Sequence, residues 1–365
     1  GFYPNSEQGS MPMSISDVTC IKAVQSMLDQ HNIPALIDVR PLQGDASTRR
    51  YFRINFQSSS LIVMDCRQSQ EVIRPFVGIT QLLAQQNLLV PSILASDFTE
   101  HLLLLEDFGD TTLLASLGQL QEGIGHNAGK HIDHQCFVSY QKAIHLLLKI
   151  QKIPREKLGC LAIYDEKKLM QECKLMPSWF FNQLLKIELD EHDDQAVVKA
   201  FGLLVNNAIA QPSCLVHRDY HSRNLMLKSD NTLGVIDYQD AVIGPIAYDW
   251  VSLLKDCYVC LPRKVQLSLL REGYDQLKET HALPSWSNFV RDFDWIGLQR
   301  HLKVLGVFAR LALRDGKTNY LKDIPRVLRY VIDTCQAYDA LHGLLPIMQK
   351  AAARFMSQHQ AEVVA

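Results

Sequence analysis

Residues 215–224 read LVHRDYHSRN, and how this stretch is understood decides how the rest of the chain is read. Behind an apolar pair come His217, Arg218, Asp219, His221, Arg223 and Asn224: two histidines, two arginines, an acid and an amide within eight consecutive positions. Solvated loops are polar, yet they seldom mix these side chains with so little Gly, Ser or Lys. Five positions separate Asp219 from Asn224, and thirteen residues further on, in GVIDYQD, stands Asp237. The set offers one proton acceptor and two more oxygen ligands.

Such a trio suits phosphoryl transfer. An acceptor must orient the attacking hydroxyl, and two oxygen ligands must hold Mg²⁺ against nucleotide phosphates. Magnesium prefers an octahedral oxygen shell with few protein ligands, so one carboxylate and one amide suffice. The spacing is also that of the kinase catalytic loop H-R-D-x-x-x-x-N. The plain alternative makes Asp219 and Asn224 turn residues, Asp237 a cap and the histidines satisfied polar groups. What weighs against it is the order of the surrounding elements.

Upstream, residues 17–31 carry helical spacing behind Ser16 and Asp17, both good N-caps. ALIDVRPLQG, RYFRINF and SLIVMDC then read as three short strands separated by the turn compositions GDAST and QSSS. QEVIRPFVGITQLLAQQN returns to helical period, and PSILASDF and HLLLLEDF add two more strands. Residues 17–107 therefore predict a five-stranded sheet with one helix inserted after the third strand, preceded by a leader over 1–16. Beyond residue 108 the pattern turns to helices, at 131–152, 165–187, 193–211 and again from 245 onward. The opening stretch and NLMLKSDNTLGVIDYQDAVIG interrupt them, the latter with two short strands around a hairpin containing Asn231 and Gly234. No solenoid period and no low-complexity tract is found.

Composition bounds the class. The chain has 365 residues, 47% apolar and 21% charged, which excludes a disordered or membrane-spanning class. A formal charge of −2 gives no global attraction for nucleic acid or an anionic bilayer, so an anionic substrate must be held locally. Nine cysteines without a regular framework suit a reducing cytosol. The one CxxC pair, Cys257 and Cys260, lies in WVSLLKDCYVCL, a helical apolar run without zinc or thioredoxin context, and is read as buried structural thiols. GFYPNSEQGSMPMSIS lacks the pattern of a secretory signal, and no window reaches the length of a membrane span. A cytoplasmic protein is expected, its oligomeric state left open.

The motifs carry a resemblance. LVHRDYHSRNLML and GVIDYQDAVIGPIAYDW resemble the aminoglycoside phosphotransferase and choline kinase superfamily, with its H-x-D-x-x-x-x-N, its I-D-[WYF]-x-x-[AD] and a later Asp. GDASTRRYFR, LIVMDC, RPFVGITQLL, LLLLEDFGD and LQRHLKVLGVFARLALRDGKTNYLKDIPRVLRY are similar, over about residues 36–332, to the bacterial anomeric N-acetylmuramate/N-acetylglucosamine kinases of cell-wall recycling. The catalytic motif alone specifies the superfamily; the MDC strand and the LQRHLKVLGVFARL helix are narrower. The resemblance implies an α+β, bilobal protein-kinase-like fold, with a five-stranded antiparallel N-lobe and a mainly helical C-lobe over 108–365. It implies ATP and Mg²⁺ as cofactors and a small amino sugar as acceptor.

Carried over by position, Asp219 is the catalytic base, Asn224 and Asp237 are the metal ligands, and Asp249 in AYDW braces the loop through its backbone. Asp240 stands behind them. His217 packs beneath the loop, His221 and Arg223 stay unassigned, and Arg218 either neutralises charge near the phosphoryl group or forms an ion pair. In LQGDAST, Gly44 permits close approach to phosphates while Ser47 and Thr48 offer donors; Glu106 in LLEDFG fits the hinge that meets an adenine edge. The third strand shows Met64 and Asp65 where kinases of this fold carry a lysine. The anomeric sugar kinases share this M-D feature. Arg49, Arg50 and Arg67 are the nearby cations, Arg49 the favoured one. Arg300, His301, Arg310 and Arg314, spaced partly at helical period, could hold a sugar carboxylate by paired hydrogen bonds, or form the wetter edge of a core helix. Two rival functions stand beside the sugar kinase: an aminoglycoside- or choline-type phosphotransferase, and a nucleotide-binding pseudokinase prompted by the missing lysine.

Overall fold

The computed structural model describes residues 15–31, 33, 38–42, 49–122, 134–159 and 161–359. These fall into two compact units that alternate along the chain. One draws on the described residues within Gly1–Ala128, Asp133–Cys160 and His221–Ala241, the other on those within Leu161–Tyr220 and Val242–Ala365.

The first unit is built on the predicted sheet. Strands β1 (Asp38–Leu42), β2 (Arg50–Asn55), β3 (Ser60–Asp65), β4 (Ile93–Asp97) and β5 (Leu102–Glu106) pair antiparallel in the order β1-β2-β3-β5-β4. Side chains alternate across it. Phe52, Ile54, Val63, Leu102 and Leu104 face one way and pack on Val24, Met27 and Leu28 of helix α1 (Ile15–Gln30). Tyr51, Ile62 and Leu105 face the other way, toward Phe76 of α2 (Ile73–Gln85), the helix between β3 and β4. The unit does not stop at the sheet. It adds α3 (Leu113–Glu122), which the sequence reading missed, α4 (His134–Gln151), and a hairpin of β7 (Leu225–Leu227) and β8 (Leu233–Val235). Gly234 in β8 is required by packing: a Cβ there would come within 2.4 Å of the Phe108 ring.

The second unit is helical around α9 (Trp286–Asp315), a 30-residue helix buried on most of its circumference, as expected for the centre of a bundle. Ser285 caps its start through Asn288 N–H, and Gly316 ends it in the left-handed conformation. Around it pack α5 (Glu166–Cys173), a π-helical turn at Met176–Leu185, α6 (Glu191–Ala210), α7 (Tyr248–Leu254) and α10 (Ile324–Ala337). The continuous helix expected over 165–187 is thus two segments of different pitch. Close approach explains where they meet α9: a Cβ on Gly306 would fall 2.4 Å from the Leu175 carbonyl, so only glycine fits there. α8 (Arg263–Leu277) and α11 (Leu345–Gln358) complete the unit. A two-stranded ribbon of β6 (Ser213–Val216) and β9 (Val242–Pro245), also unforeseen, delivers the chain to the loop at 217.

The CxxC reading needs correction. Helix α7 ends at Leu254, and the Asp256 carboxylate accepts from Tyr258 N–H in a turn, so the pair lies in irregular chain. Cys257 is buried, and burial pushes its thiol up to about 12; Cys260 is exposed. Only half of the pair is a buried structural thiol. Among the described residues no helix is long and apolar enough to cross a membrane.

Candidate active site

In the helical unit the chain leaves β6 and enters the loop with Arg218 in left-handed backbone, φ 77°. That strain is held in place by one buried acid. Asp249, wholly buried at the start of α7, accepts from the N–H of His217 at 2.6 Å and from that of Arg218 at 3.0 Å. Burial raises its carboxyl to about 6, against its neighbour His217 and the two backbone donors, which favour the ionised form. His217 in turn accepts from Asp219 N–H through Nδ1 at 3.2 Å and packs edge-on to Tyr220. Both residues therefore do what the resemblance implied for them.

Asp219 emerges from this clamp with its side chain 42% exposed, its Oδ1 3.5 Å from Nη2 of Arg300. Arg300, on α9, is itself 4% exposed and lies against the Tyr248 ring. The neighbour of Asp219 is thus a buried guanidinium. Arg218 points elsewhere: it forms a buried ion pair with Glu172 of α5 and lies over the Tyr164 ring. Glu172 also takes the Tyr164 hydroxyl and the Lys303 ammonium. Burial works to raise Glu172, yet Lys303 and Arg218 outweigh it and hold the carboxyl low. Nothing in EKKLMQECK marked this acid from sequence. Of the two alternatives for Arg218, the contacts show the ion pair.

The proposed row of sugar ligands on α9 does not act as one group. His301 is fully buried, stacked on Tyr330 with its Nε2 3.0 Å from the Lys255 carbonyl, and burial lowers it to about 3. It is a neutral core histidine, which corrects its assignment to the acceptor. Arg314 is exposed and paired with Asp315 at 2.6 Å. At about 1.5 Å rise per residue, Arg300 and Arg314 stand roughly 21 Å apart along the helix, too far to share one carboxylate. Arg310 is half-buried between them.

In the sheet unit, the chain after the Asn224 position forms the β7–β8 hairpin and then bends at Asp237 into left-handed backbone, φ 63°. The bend sets Asp237 Oδ2 3.4 Å from Nδ2 of the buried Asn224. Gln239 Nε2 donates to the other carboxylate oxygen. Tyr238, between them, is turned inward, stacked on Phe76 at 5.1 Å and hydrogen-bonded to Thr80 at 2.8 Å. This anchor holds Asp237 and Gln239 in the wall of a pocket that also includes Leu42, Tyr51, Ile62, Leu105 and Ile236. A mostly apolar slot with a few polar groups at one end suits a nucleobase with phosphates attached.

Strand parity sorts the three arginines. Arg50 and Arg67 both grip Asp65, at 2.7 and 2.9 Å, on the face away from the pocket. Arg49 leaves on the pocket face beside Tyr51, its Nη2 3.8 Å from Asp240 and 4.0 Å from Asp237. Glu106 lines the pocket, but its N–H already donates to the Ser92 carbonyl and its carboxylate pairs with Lys228 at 2.8 Å. Any hinge contact to a base through Glu106 is left to its carbonyl. Gly44, Ser47 and Thr48 lie outside the described residues.

Residues 38–282 match the phosphotransferase enzyme family. The chain belongs to that family. It is 40% identical over 295 residues to the N-acetylmuramate/N-acetylglucosamine kinase of Pseudomonas aeruginosa, covering 80% of this chain and 82% of the relative. To the protein of that name in Neisseria meningitidis it is 36% identical over 309 residues, 84% and 88% of the two chains. This phosphotransferase thus stands with the N-acetylmuramate/N-acetylglucosamine kinases, as the MDC and LQRHLKVLGVFARL segments suggested. Solved structures share the fold at low identity. The choline kinase LicA from Streptococcus pneumoniae superposes with a TM-score of 0.59 at 12% identity, covering 86% of this chain and 99% of that one. ADP-bound aminoglycoside phosphotransferase APH(2'')-Ib does so at 0.56 and 15%, covering 86% and 98%. Membership of this family means a kinase that uses ATP on a hydroxyl acceptor.

Proposed function

We propose that this phosphotransferase moves the γ-phosphoryl group of ATP to the anomeric hydroxyl of N-acetylmuramate or N-acetylglucosamine, giving the sugar 1-phosphate in peptidoglycan recycling. The observation that carries the proposal is the Asn224–Asp237 pair beside an apolar pocket, in a chain whose relatives bear that substrate in their name. Asp219 is the base: its side chain is 42% exposed on the loop that Asp249 braces. An anomeric hydroxyl is more acidic than an ordinary alcohol, so a carboxylate suffices to orient and accept its proton. Arg300 lies beside Asp219 and helps to orient it.

One amide and one carboxylate fit a hard divalent cation, and a half-turn of the Asn224 amide puts its oxygen beside Asp237. Magnesium held by these two would neutralise charge on the nucleotide phosphates. Arg49 stands in for the missing lysine, which argues against the pseudokinase. In this reading residues 17–107 form the nucleotide lobe, 108–365 supply the catalytic loop and acceptor groups, and 1–16 are a leader. The need for ATP places the enzyme in the cytoplasm, with a small amino sugar and no nucleic acid as its partner.

The test is ATP consumption across a panel of amino sugars, choline and aminoglycosides, followed by a reducing-end assay on the N-acetylmuramate product. Transfer with loss of the reducing end is expected. A product that still reduces places the phosphoryl group on another hydroxyl and sinks the proposal.

A further inference from the structure

Gln239 is the polar residue of the pocket that nothing above has used. It is 8% exposed and lines the slot together with Asp237. Its two amide atoms have different fates. Nε2 donates to Asp237 Oδ1, while Oε1 is buried and meets no hydrogen-bond partner among the described residues. A buried carbonyl oxygen left without a donor costs about 1–3 kcal/mol, which a sequence seldom tolerates without a reason. A leucine or methionine would fill the same space without that cost.

The two atoms together suggest the reason. With Nε2 on Oδ1, one oxygen of the Asp237 carboxylate is held by the Gln239 amide whichever way the Asn224 amide is turned. This matters because Asp237 sits on left-handed backbone, where a non-glycine residue is strained and its side chain needs support to keep one direction. Gln239 lines the pocket, so this buried, unpartnered oxygen belongs to a side chain of its wall. It is placed to accept from something bound there. A hydrated divalent cation supplies such donors, because magnesium keeps several of its waters.

We infer that Gln239 is a positioning residue for the metal site, orienting Asp237 through Nε2 and accepting through Oε1 from a water in the shell of the bound cation. The inference rests on the reading of Asn224 and Asp237 as metal ligands, and it adds a residue that touches the ion only through its water and its carboxylate. Outer partners of this kind change metal affinity by about 10–100-fold when removed.

The experiment measures binding, not turnover. ATP affinity is titrated calorimetrically in EDTA and in saturating Mg²⁺ for the wild type, Gln239→Met and Gln239→Glu, with Mn²⁺ binding followed by electron paramagnetic resonance and thermal melts checking the fold. Methionine keeps the volume and removes both amide atoms. The expected result is that Gln239→Met weakens Mn²⁺ binding and the Mg²⁺-dependent gain in ATP affinity, measured against the same variant in EDTA, about tenfold. Gln239→Glu loses the bond to Oδ1 but keeps an acceptor, so its metal affinity is expected to differ from that of the methionine variant. If Gln239→Met folds and binds Mn²⁺ like the wild type, the inference is overturned. If the wild type itself shows no metal-dependent gain, the metal assignment of Asn224 and Asp237 falls instead, and the inference with it.

Discussion

The contacts in each unit divide into two lengths, and the division separates architecture from chemistry. In the helical unit Lys255 and Arg263 reach Asp294 at 2.7 and 2.6 Å, Asp249 holds a backbone N–H at 2.6 Å, and Arg314 reaches Asp315 at 2.6 Å. In the sheet unit Arg53 meets Asp107 at 2.6 Å and Arg50 meets Asp65 at 2.7 Å. Against these stand Asp219 with Arg300 at 3.5 Å, Asn224 with Asp237 at 3.4 Å, and Arg49 with its two acids at 3.8 and 4.0 Å. These longer contacts are made by residues proposed for reaction or nucleotide, although Asp237 also takes a short hydrogen bond from Gln239. Hydrogen bonds of catalytic groups are often long without ligand and tighten in the complex.

The hardest blow to this contrast is Asp219→Asn. It is expected to lower kcat by about a thousandfold, within the range for a lost general base, and to leave ATP affinity unchanged. Calorimetric titration beside steady-state rates checks both parts. An active variant removes Asp219 from the chemistry.

Next in size is Asp249→Asn, which tests a short contact. The amide can accept from only one of the His217 and Arg218 N–H groups and turns a donor toward the other, so the strained loop loses its clamp. A misplacement on the order of 1 Å can cost about a hundredfold in rate, and that loss in kcat is expected. Protonation does the same in part. Because burial holds Asp249 at about 6, acid converts one accepting oxygen to a hydroxyl as pH falls through that value. The loop then loosens, and kcat at saturating substrates should drop on the acid side with a midpoint near 6. For stability the sign is opposite: the charged acid disfavours the fold above that pH, and the penalty lifts as pH falls toward the ordinary carboxylate range. An unchanged kcat in the asparagine variant would remove the clamp from the mechanism.

A third prediction concerns stability alone. Asp65 is pushed up by burial, but hydrogen bonds from Arg67 and Arg50 outweigh that and lower it to about 2. Asp65→Asn takes a carboxylate away from two cations, each about a quarter exposed, so a cost of about 2 kcal/mol is expected, below that of a fully buried pair. The lowered pKa gives the direction. The stabilisation is complete above the ordinary Asp pKa of about 4 and lost as pH falls to about 2. Urea melts of both proteins should differ at pH 7 and converge near pH 2. Parallel curves at every pH would show that the ion pairs carry no stability.

How much of this was legible beforehand depends on whether a residue's neighbours are near in sequence. The five strands and α2 follow from apolar alternation and turn residues, and Asp219, Asn224 and Asp237 from their spacing. The bracing role of Asp249 followed from family pattern. Strands β6 and β9 were missed because they are four residues each, buried in all but Ser213, and show no alternation to read. Glu172 was missed because its partners Arg218 and Lys303 are 46 and 131 positions away. His301 was misplaced for a related reason: on a helix buried nearly all round, a polar residue looks the same whether it faces a ligand or a backbone carbonyl. Gln239 had a signal, two positions after Asp237, but only coordinates separate its satisfied nitrogen from its unsatisfied oxygen.

The smallest effect gives the finest test of the contrast, because it compares two adjacent arginines, one just before β2 and one at its first position. Arg49 lies near Asp237 and Asp240, while Arg50 reaches Asp65. If the long contacts of Arg49 mean that it waits for a phosphate, Arg49→Met should raise KM for ATP about tenfold, the worth of one charge-assisted hydrogen bond, with a smaller change in kcat and none in KM for the sugar. Arg50→Met should do the reverse: an unaltered KM for ATP and a melting temperature lowered by a few degrees, since one of two cations on a buried carboxylate is lost. Methionine suits both sites because it preserves most of the stem that packs against neighbours. The tenfold shift is close to what any distortion at a strand end could produce, so each variant serves as the control for the other. Should both raise KM for ATP alike, the effect comes from the strand as a whole, and Arg49 is no substitute for the absent lysine.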